Sequence, residues 1–303
     1  QAGKLVTCEL GKNDNLEVLD LMMNKITELD LSQLPKLREL AITDNRLTTI
    51  DLSKLKSLKE FYGSYNNVGT LDIKQNHSLE VLACAGMGLT ELDLSNNPKL
   101  ENLTAGNNNY TTFPDLSNKP ALKWIDMESC GMKEIDVTKF PKLKFLDLSG
   151  NQLTNIDLSK NTLLRKLDLD NNQLDACAIN DILFTLQKAQ KEDEASLQIK
   201  GNTGSSTCDN TLLEGKNWTT NVDGNGTGCN TVRLRFEDSP QGSFKTLVDG
   251  KDIPEWTPIE KGKEVKIETS PIKGYKLVKI MLNGEDVTAN TFKIQQYGVL
   301  AAI

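Results

Sequence analysis

Residues 143–159 read Leu143-Lys144-Phe145-Leu146-Asp147-Leu148-Ser149-Gly150-Asn151-Gln152-Leu153-Thr154-Asn155-Ile156-Asp157-Leu158-Ser159. The first nine carry L-x-x-L-x-L-x-x-N, and the rest echo it as L-x-x-I-D-L-S. Moving outward from Leu143, the frame returns at Leu122, Leu100, Leu79, Leu58, Leu37 and Leu16, and on the other side at Leu164. The spacing is 21 residues throughout, except for 22 between Leu100 and Leu122, where one extra residue falls within 107–114. A coil of this length cannot bury its own apolar face, so the repeats must stack on one another.

The second half of each repeat keeps two apolar columns: Leu29, Ile50, Leu71, Leu92, Phe113, Ile135, Ile156, and Leu31, Leu52, Ile73, Leu94, Leu116, Val137, Leu158. Leu5, Cys8, Leu10 and Asn13 read as a half-repeat leading into Leu16. Asn24, Asn45, Asn66, Asn108, Asn151 and Asn172 form a ladder where the chain leaves the short strand, and an amide there can satisfy turn backbone. Met87 and Cys130 interrupt it, which local repacking explains best. The Asp30, Asp51, Asp72, Asp93, Asp136, Asp157 column recurs on nearly every coil and is read as turn chemistry rather than as a calcium or glycosidase site.

The segments 26–32 and 153–159 resemble the 21-residue class of bacterial leucine-rich repeats, in the style of Bacteroides surface proteins and internalins. The resemblance covers residues 5–202. It implies a right-handed solenoid with parallel strands on the concave face, few helices, ligand binding, and no shared catalytic residues. Beyond the last repeat, Ile179, Ile182, Leu183 and Leu186 space as an amphipathic helix, and Leu197–Asn202 supply a final rung. Strand alternation follows at Val232, Leu234, Phe236, at Val265, Ile267, and from Leu277 to Leu282, with an Asn283-Gly284 turn. The run 262–265, Pro271, Gly274-Tyr275, Ile280 and Asn283-Gly284 resembles the small β-domains called B-repeats in internalin-like proteins, and implies a spacer.

The expected organisation is a half-repeat cap over 1–15, repeats over 16–174, and a cap with helix and final rung over 175–216. A Gly/Asn/Thr-rich linker over 217–230 and a small all-β domain over 231–303 complete it. Of six cysteines, Cys8, Cys84 and Cys130 occupy buried positions of the repeat. Cys177 and Cys208 fall in nearly the same column one rung apart, and a rung of ~4.8 Å is close to the Cα separation a disulfide prefers. Cys177–Cys208 is therefore the expected bridge, with Cys229 left over.

Chemistry is scarce. The 303 residues carry 35 Lys+Arg against 42 Asp+Glu, a formal charge of −7, which argues against nucleic acid as the partner. One histidine, His77, sits on an outer turn, so multi-histidine metal sites are excluded, and no catalytic residue, metal or cofactor is expected. No apolar run reaches the ~18 residues of a membrane span. The chain opens Gln-Ala-Gly-Lys without a signal-like segment, so any lipid anchor would lie upstream.

The irregular positions are those that alternate with the strand leucines and face the concave side. Tyr62, Tyr65, Trp124 and Phe145 flank a floor of small residues, Ala83, Ala85, Gly86, Thr104 and Gly106. Asp126, Asp147, Asp168 and Asp170 lie beside it. The expected binding residues are thus Tyr62, Tyr65, Ala83, Thr104, Trp124, Asp126, Phe145, Asp147 and Asp168. A monomeric, non-enzymatic adhesion protein, secreted or on a bacterial surface and binding a protein partner, is the leading expectation. Glycan capture is second, and an enzyme a distant third.

Overall fold

The computed structural model describes residues 3–111, 113–237, 242–273, 279–283, 285–287 and 291–302. Its main element is a parallel sheet that takes one three-residue strand from each coil. These are β1 (Val18–Asp20), β2 (Glu39–Ala41), β3 (Glu60–Tyr62), β4 (Val81–Ala83), β5 (Asn102–Thr104), β6 (Trp124–Asp126), β7 (Phe145–Asp147) and β8 (Lys166–Asp168). The helix α1 (Ala176–Thr185) intervenes before β9 (Ser196–Gln198) and β10 (Thr219–Thr220), which complete the sheet in chain order. The central residue of each strand from β1 to β9 is buried, so Leu40, Phe61, Leu82, Leu103, Ile125, Leu146 and Leu167 stack into one core. Their neighbours on either side face out, as strand alternation requires.

After each strand from β1 to β9 one residue takes a positive φ, at Met23, Asp44, Tyr65, Gly86, Asn107, Ser129, Gly150, Asn171 and Gly201. The ladder asparagine comes next and ties two coils together. Asn66 accepts from the Leu47 N–H at 3.0 Å and donates to the carbonyls of Ile42 and Gly63, both at 3.0 Å. Where the ladder is broken, the following rung compensates: Asn108 accepts from the N–H groups of both Met87 and Leu89, and Asn151 from those of Cys130 and Met132. The Cys130 thiol donates to the Glu128 carbonyl at 3.4 Å in place of an amide. The second aspartate column does act as turn chemistry, since Asp30, Asp51, Asp93, Asp136 and Asp157 each accept the N–H two residues on. Phe113 departs from its apolar column: it is 38% exposed, next to the extra residue of the long coil.

Asp175 caps α1 by accepting from the Ala178 N–H at 2.8 Å, and Ile179, Ile182 and Leu183 close the open end of the core. Lys216 caps the other end, donating to the Leu183 and Phe184 carbonyls at 2.8 and 2.6 Å. The helix also corrects the expected disulfide. Coiling over 176–185 takes Cys177 out of the rung column, while Cys208 points inward, fully buried, with its thiol on the Ser205 carbonyl. Cys177 instead bridges Cys229, with Cα atoms 4.9 Å apart.

Residues 217–230 likewise differ from a linker. They supply β10, bury Trp218 with its indole N–H on the Gln187 carbonyl at 2.8 Å, and carry the bridged Cys229. The glycines here mark close packing: a Cβ on Gly224 would lie 2.2 Å from the Cys208 carbonyl oxygen, and one on Gly228 2.1 Å from Thr207 Oγ1.

The remaining strands are β11 (Thr231–Val232), β12 (Leu234–Phe236), β13 (Gly242–Val248), β14 (Lys251–Asp252), β15 (Ile259–Glu260) and β16 (Glu264–Pro271). They continue with β17 (Ile280–Leu282), β18 (Glu285–Asp286), β19 (Thr291–Lys293) and β20 (Gly298–Ala302). They form sheets ordered β12-β20-β17-β18 and β14-β13-β16-β19, with β11 paired to β15. Leu282 pairs with Glu285 across the Asn283 turn. Gly274, Tyr275, Leu277, Gly284 and Ile303 of the sequence reading lie outside the described residues. A second core of Val232, Leu234, Val265, Ile267, Ile280 and Leu300 fills this part, and Phe184 and Leu212 of the cap pack against it. Asp181 on α1 accepts from Arg233 Nε at 2.6 Å and from the Tyr297 hydroxyl at 2.7 Å. The β-strands thus abut the end of the solenoid directly.

Candidate functional site

The open face of the sheet presents two columns of side chains. One holds Val18, Glu39, Glu60, Val81, Asn102, Trp124, Phe145 and Lys166. The other holds Asp20, Ala41, Tyr62, Ala83, Thr104, Asp126, Asp147 and Asp168. Tyr62 and Trp124 sit in different columns, three strands apart, with Ala83 and Thr104 on the strands between them. The Tyr62 hydroxyl donates to Glu60 at 2.7 Å, and burial together with that carboxylate pushes its pKa up to about 12. Tyr65 is 51% exposed and leans over Gly86, where a Cβ would meet its ring at 2.8 Å. Glu128 covers Gly106 in the same way. The floor is consequently narrower than the sequence suggests, and consists of Ala83, Ala85 and Thr104.

Trp124 and Phe145, aligned on adjacent strands, stack with ring centroids 3.5 Å apart and planes 7° from parallel. Trp124 stays 40% exposed, a large apolar surface that the core does not claim.

Asp126, Asp147 and Asp168 line up on three successive strands, each accepting the N–H two residues on, at 3.3, 2.9 and 3.0 Å. Asp170 is held by the Lys200 N–H at 2.6 Å and by Asn221 at 3.0 Å. Burial, with repulsion from Asp147 and Glu128, raises Asp126 to about 6; burial and the neighbouring Asp147 and Asp170 raise Asp168 to about 6. Glu128 is the member that sequence reasoning missed. Its position two residues past Asp126 in the strand alternation was the available signal.

Burial pushes the Cys84 thiol up to about 12 and Cys130 to about 11, so both stay protonated. His77 is exposed, with Nδ1 3.2 Å from the Asn96 carbonyl oxygen. Among the described residues no group of three or more His, Cys, Asp or Glu is arranged to hold a metal, and no helix is long and apolar enough to cross a membrane.

The repeat, its asparagine ladder and the parallel sheet together give the chain a leucine-rich repeat fold. The family model described as Leucine Rich repeats (2 copies) matches residues 14–57, and the Leucine Rich Repeat model matches 142–161. Among solved structures, YopM from Yersinia enterocolitica WA-314 is similar at 23% identity and a TM-score of 0.51. That match covers 66% of this chain and spans 40% of the YopM chain. The functional domain of InlJ from Listeria monocytogenes aligns over 99% of this chain and 80% of its own, at 19% identity and a TM-score of 0.42. No curated protein matches.

Proposed function

We propose that this is a non-enzymatic binding protein that holds a protein partner against its concave sheet. The observation that carries this reading is the exposed Trp124–Phe145 stack beside the aligned carboxylates of Asp126, Asp147 and Asp168. Aromatic anchors of this kind dominate binding energy at interfaces, and a one-signed rim selects and steers the partner. The Cys177–Cys229 bridge supports a secreted or surface-exposed bacterial location, because such bridges persist in oxidising compartments. Glycan binding is the second reading, since a stacked aromatic pair also offers a platform for a sugar ring.

Capture from host and bacterial extracts, run in parallel with a glycan array, tests the proposal. A protein retained by the native chain and by an outer-turn His77→Ala control, and lost with Trp124→Ala, supports it. Retention unchanged by Trp124→Ala moves the site off the concave face, and array binding without protein capture favours the glycan.

A further inference from the structure

The Trp124–Phe145 pair is asymmetric. Phe145 covers one face of the indole, and the other face looks along its column toward Asn102 on the adjacent strand. Among the described residues no second aromatic ring stacks on that face, and Trp124 is 40% exposed. Thr104 faces the same way as Asn102, and Asp126 the same way as Trp124, each pair about 7 Å apart as same-face neighbours on a strand. The result is a slot with a flat aromatic wall, a polar floor and a carboxylate at its end.

Two properties decide what fits. The charge beside it is mostly negative: Asp126, Glu128, Asp147 and Asp168 outnumber Lys166, the single cation in the two columns, and Lys123 next to Trp124 is paired with Glu101, so the field favours a cation over a neutral ring. The wall is planar, which favours a planar cation. A guanidinium is flat, weakly hydrated and stacks on an indole while its edge donates to a carboxylate; an ammonium is a compact, strongly hydrated point charge.

We propose that this slot takes an arginine side chain from an extended basic segment of the partner, stacked on Trp124 and hydrogen-bonded to Asp126. The inference rests on the concave face being the recognition surface, and adds that arginine is selected over lysine.

The test is calorimetric titration of the full chain at low salt with the acetylated, amidated peptide GRGRG, its lysine counterpart GKGKG, and maltotetraose. The arginine peptide should bind at least ~5-fold more tightly than the lysine peptide, because only the guanidinium can use the indole face. Trp124→Ala should abolish that preference, Trp124→Phe should retain most of it, and Asp126→Asn should weaken both peptides. Circular dichroism of each variant should match the parent, since Trp124 lies outside the core. Equal affinity for the two peptides, with both weakened by Asp126→Asn, would overturn the arginine slot while leaving concave-face binding intact. Peptide binding insensitive to both Trp124→Ala and Asp126→Asn would overturn the slot and the concave-face reading together. Failure of the arginine peptide to bind would overturn the slot, and maltotetraose binding alone would replace both readings with glycan recognition.

Discussion

Asp181→Ala is the sharpest probe of how the solenoid and the β-strands are joined. The carboxylate accepts from Arg233 Nε at 2.6 Å and from the Tyr297 hydroxyl at 2.7 Å, and the two charged side chains are 19% and 23% exposed. Removing one partner of a fully buried pair costs about 3–5 kcal/mol, because the other charge is stranded. Two features reduce that here. Arg233 keeps a hydrogen bond to the Trp256 carbonyl, and burial already raises the Asp181 pKa above its ordinary value despite both partners. A loss of about 2 kcal/mol is expected, and about half that for Asp181→Asn, which keeps an acceptor. Urea unfolding of the full chain at pH 7 measures it, and a cycle with Arg233→Ala should show at least ~1 kcal/mol of coupling. A loss below about 0.5 kcal/mol, or strict additivity with Arg233→Ala, would mean that the contact does not hold the junction together.

Reducing Cys177–Cys229, which closes a 52-residue separation, should remove about 4 kcal/mol on the chain-entropy account, and non-reducing peptide mapping should recover this pair with Cys208 unbridged. Asn108→Ala strands the buried N–H groups of Met87 and Leu89 and should cost at least ~3 kcal/mol in the same urea assay; a neutral result would dismiss the ladder as decoration. Asp126 and Asp168 bind protons more tightly folded than unfolded, so their contribution is complete below 3.8 and lost as pH rises through about 6. Stability, and the thermal midpoint with it, should therefore rise between pH 7.5 and 5, the stability by on the order of 1 kcal/mol for each half-exposed group. Asp126→Asn with Asp168→Asn should flatten that climb and raise the midpoint at pH 7.5. A slope unchanged in the double variant would assign the effect to other groups.

The coils were legible because a single column rule, apolar inward and variable outward, holds from Leu16 to Leu169, and strand alternation then assigned Trp124 and Asp126 to the open face. What the pattern could not convey was rotation. Cys177 keeps the 21-residue step from Ile156, but residues 176–185 wind into a helix, and the step no longer means the same direction in space. Composition misled at 217–230 for a different reason: Gly224 and Gly228 are small because other atoms are close, not because the chain is loose. At the site, column spacing put Trp124 against Phe145, whereas the lean of Tyr65 over Gly86 and of Glu128 over Gly106 depends on turn geometry that no spacing records.

The bridge between Cys177 and Cys229 also fixes a path for mechanical load. Once the contacts of Asp181 with Arg233 and Tyr297 have parted, tension applied to the chain beyond residue 229 enters the solenoid at the first turn of α1 through a covalent bond, which shields the backbone of residues 178–228. Those residues include β9, β10 and the buried Trp218, the part of the cap that would otherwise peel away first under a pull. Under shear the repeats would then be loaded as a stack from its closed end, with the cap as a fixed anchor plate.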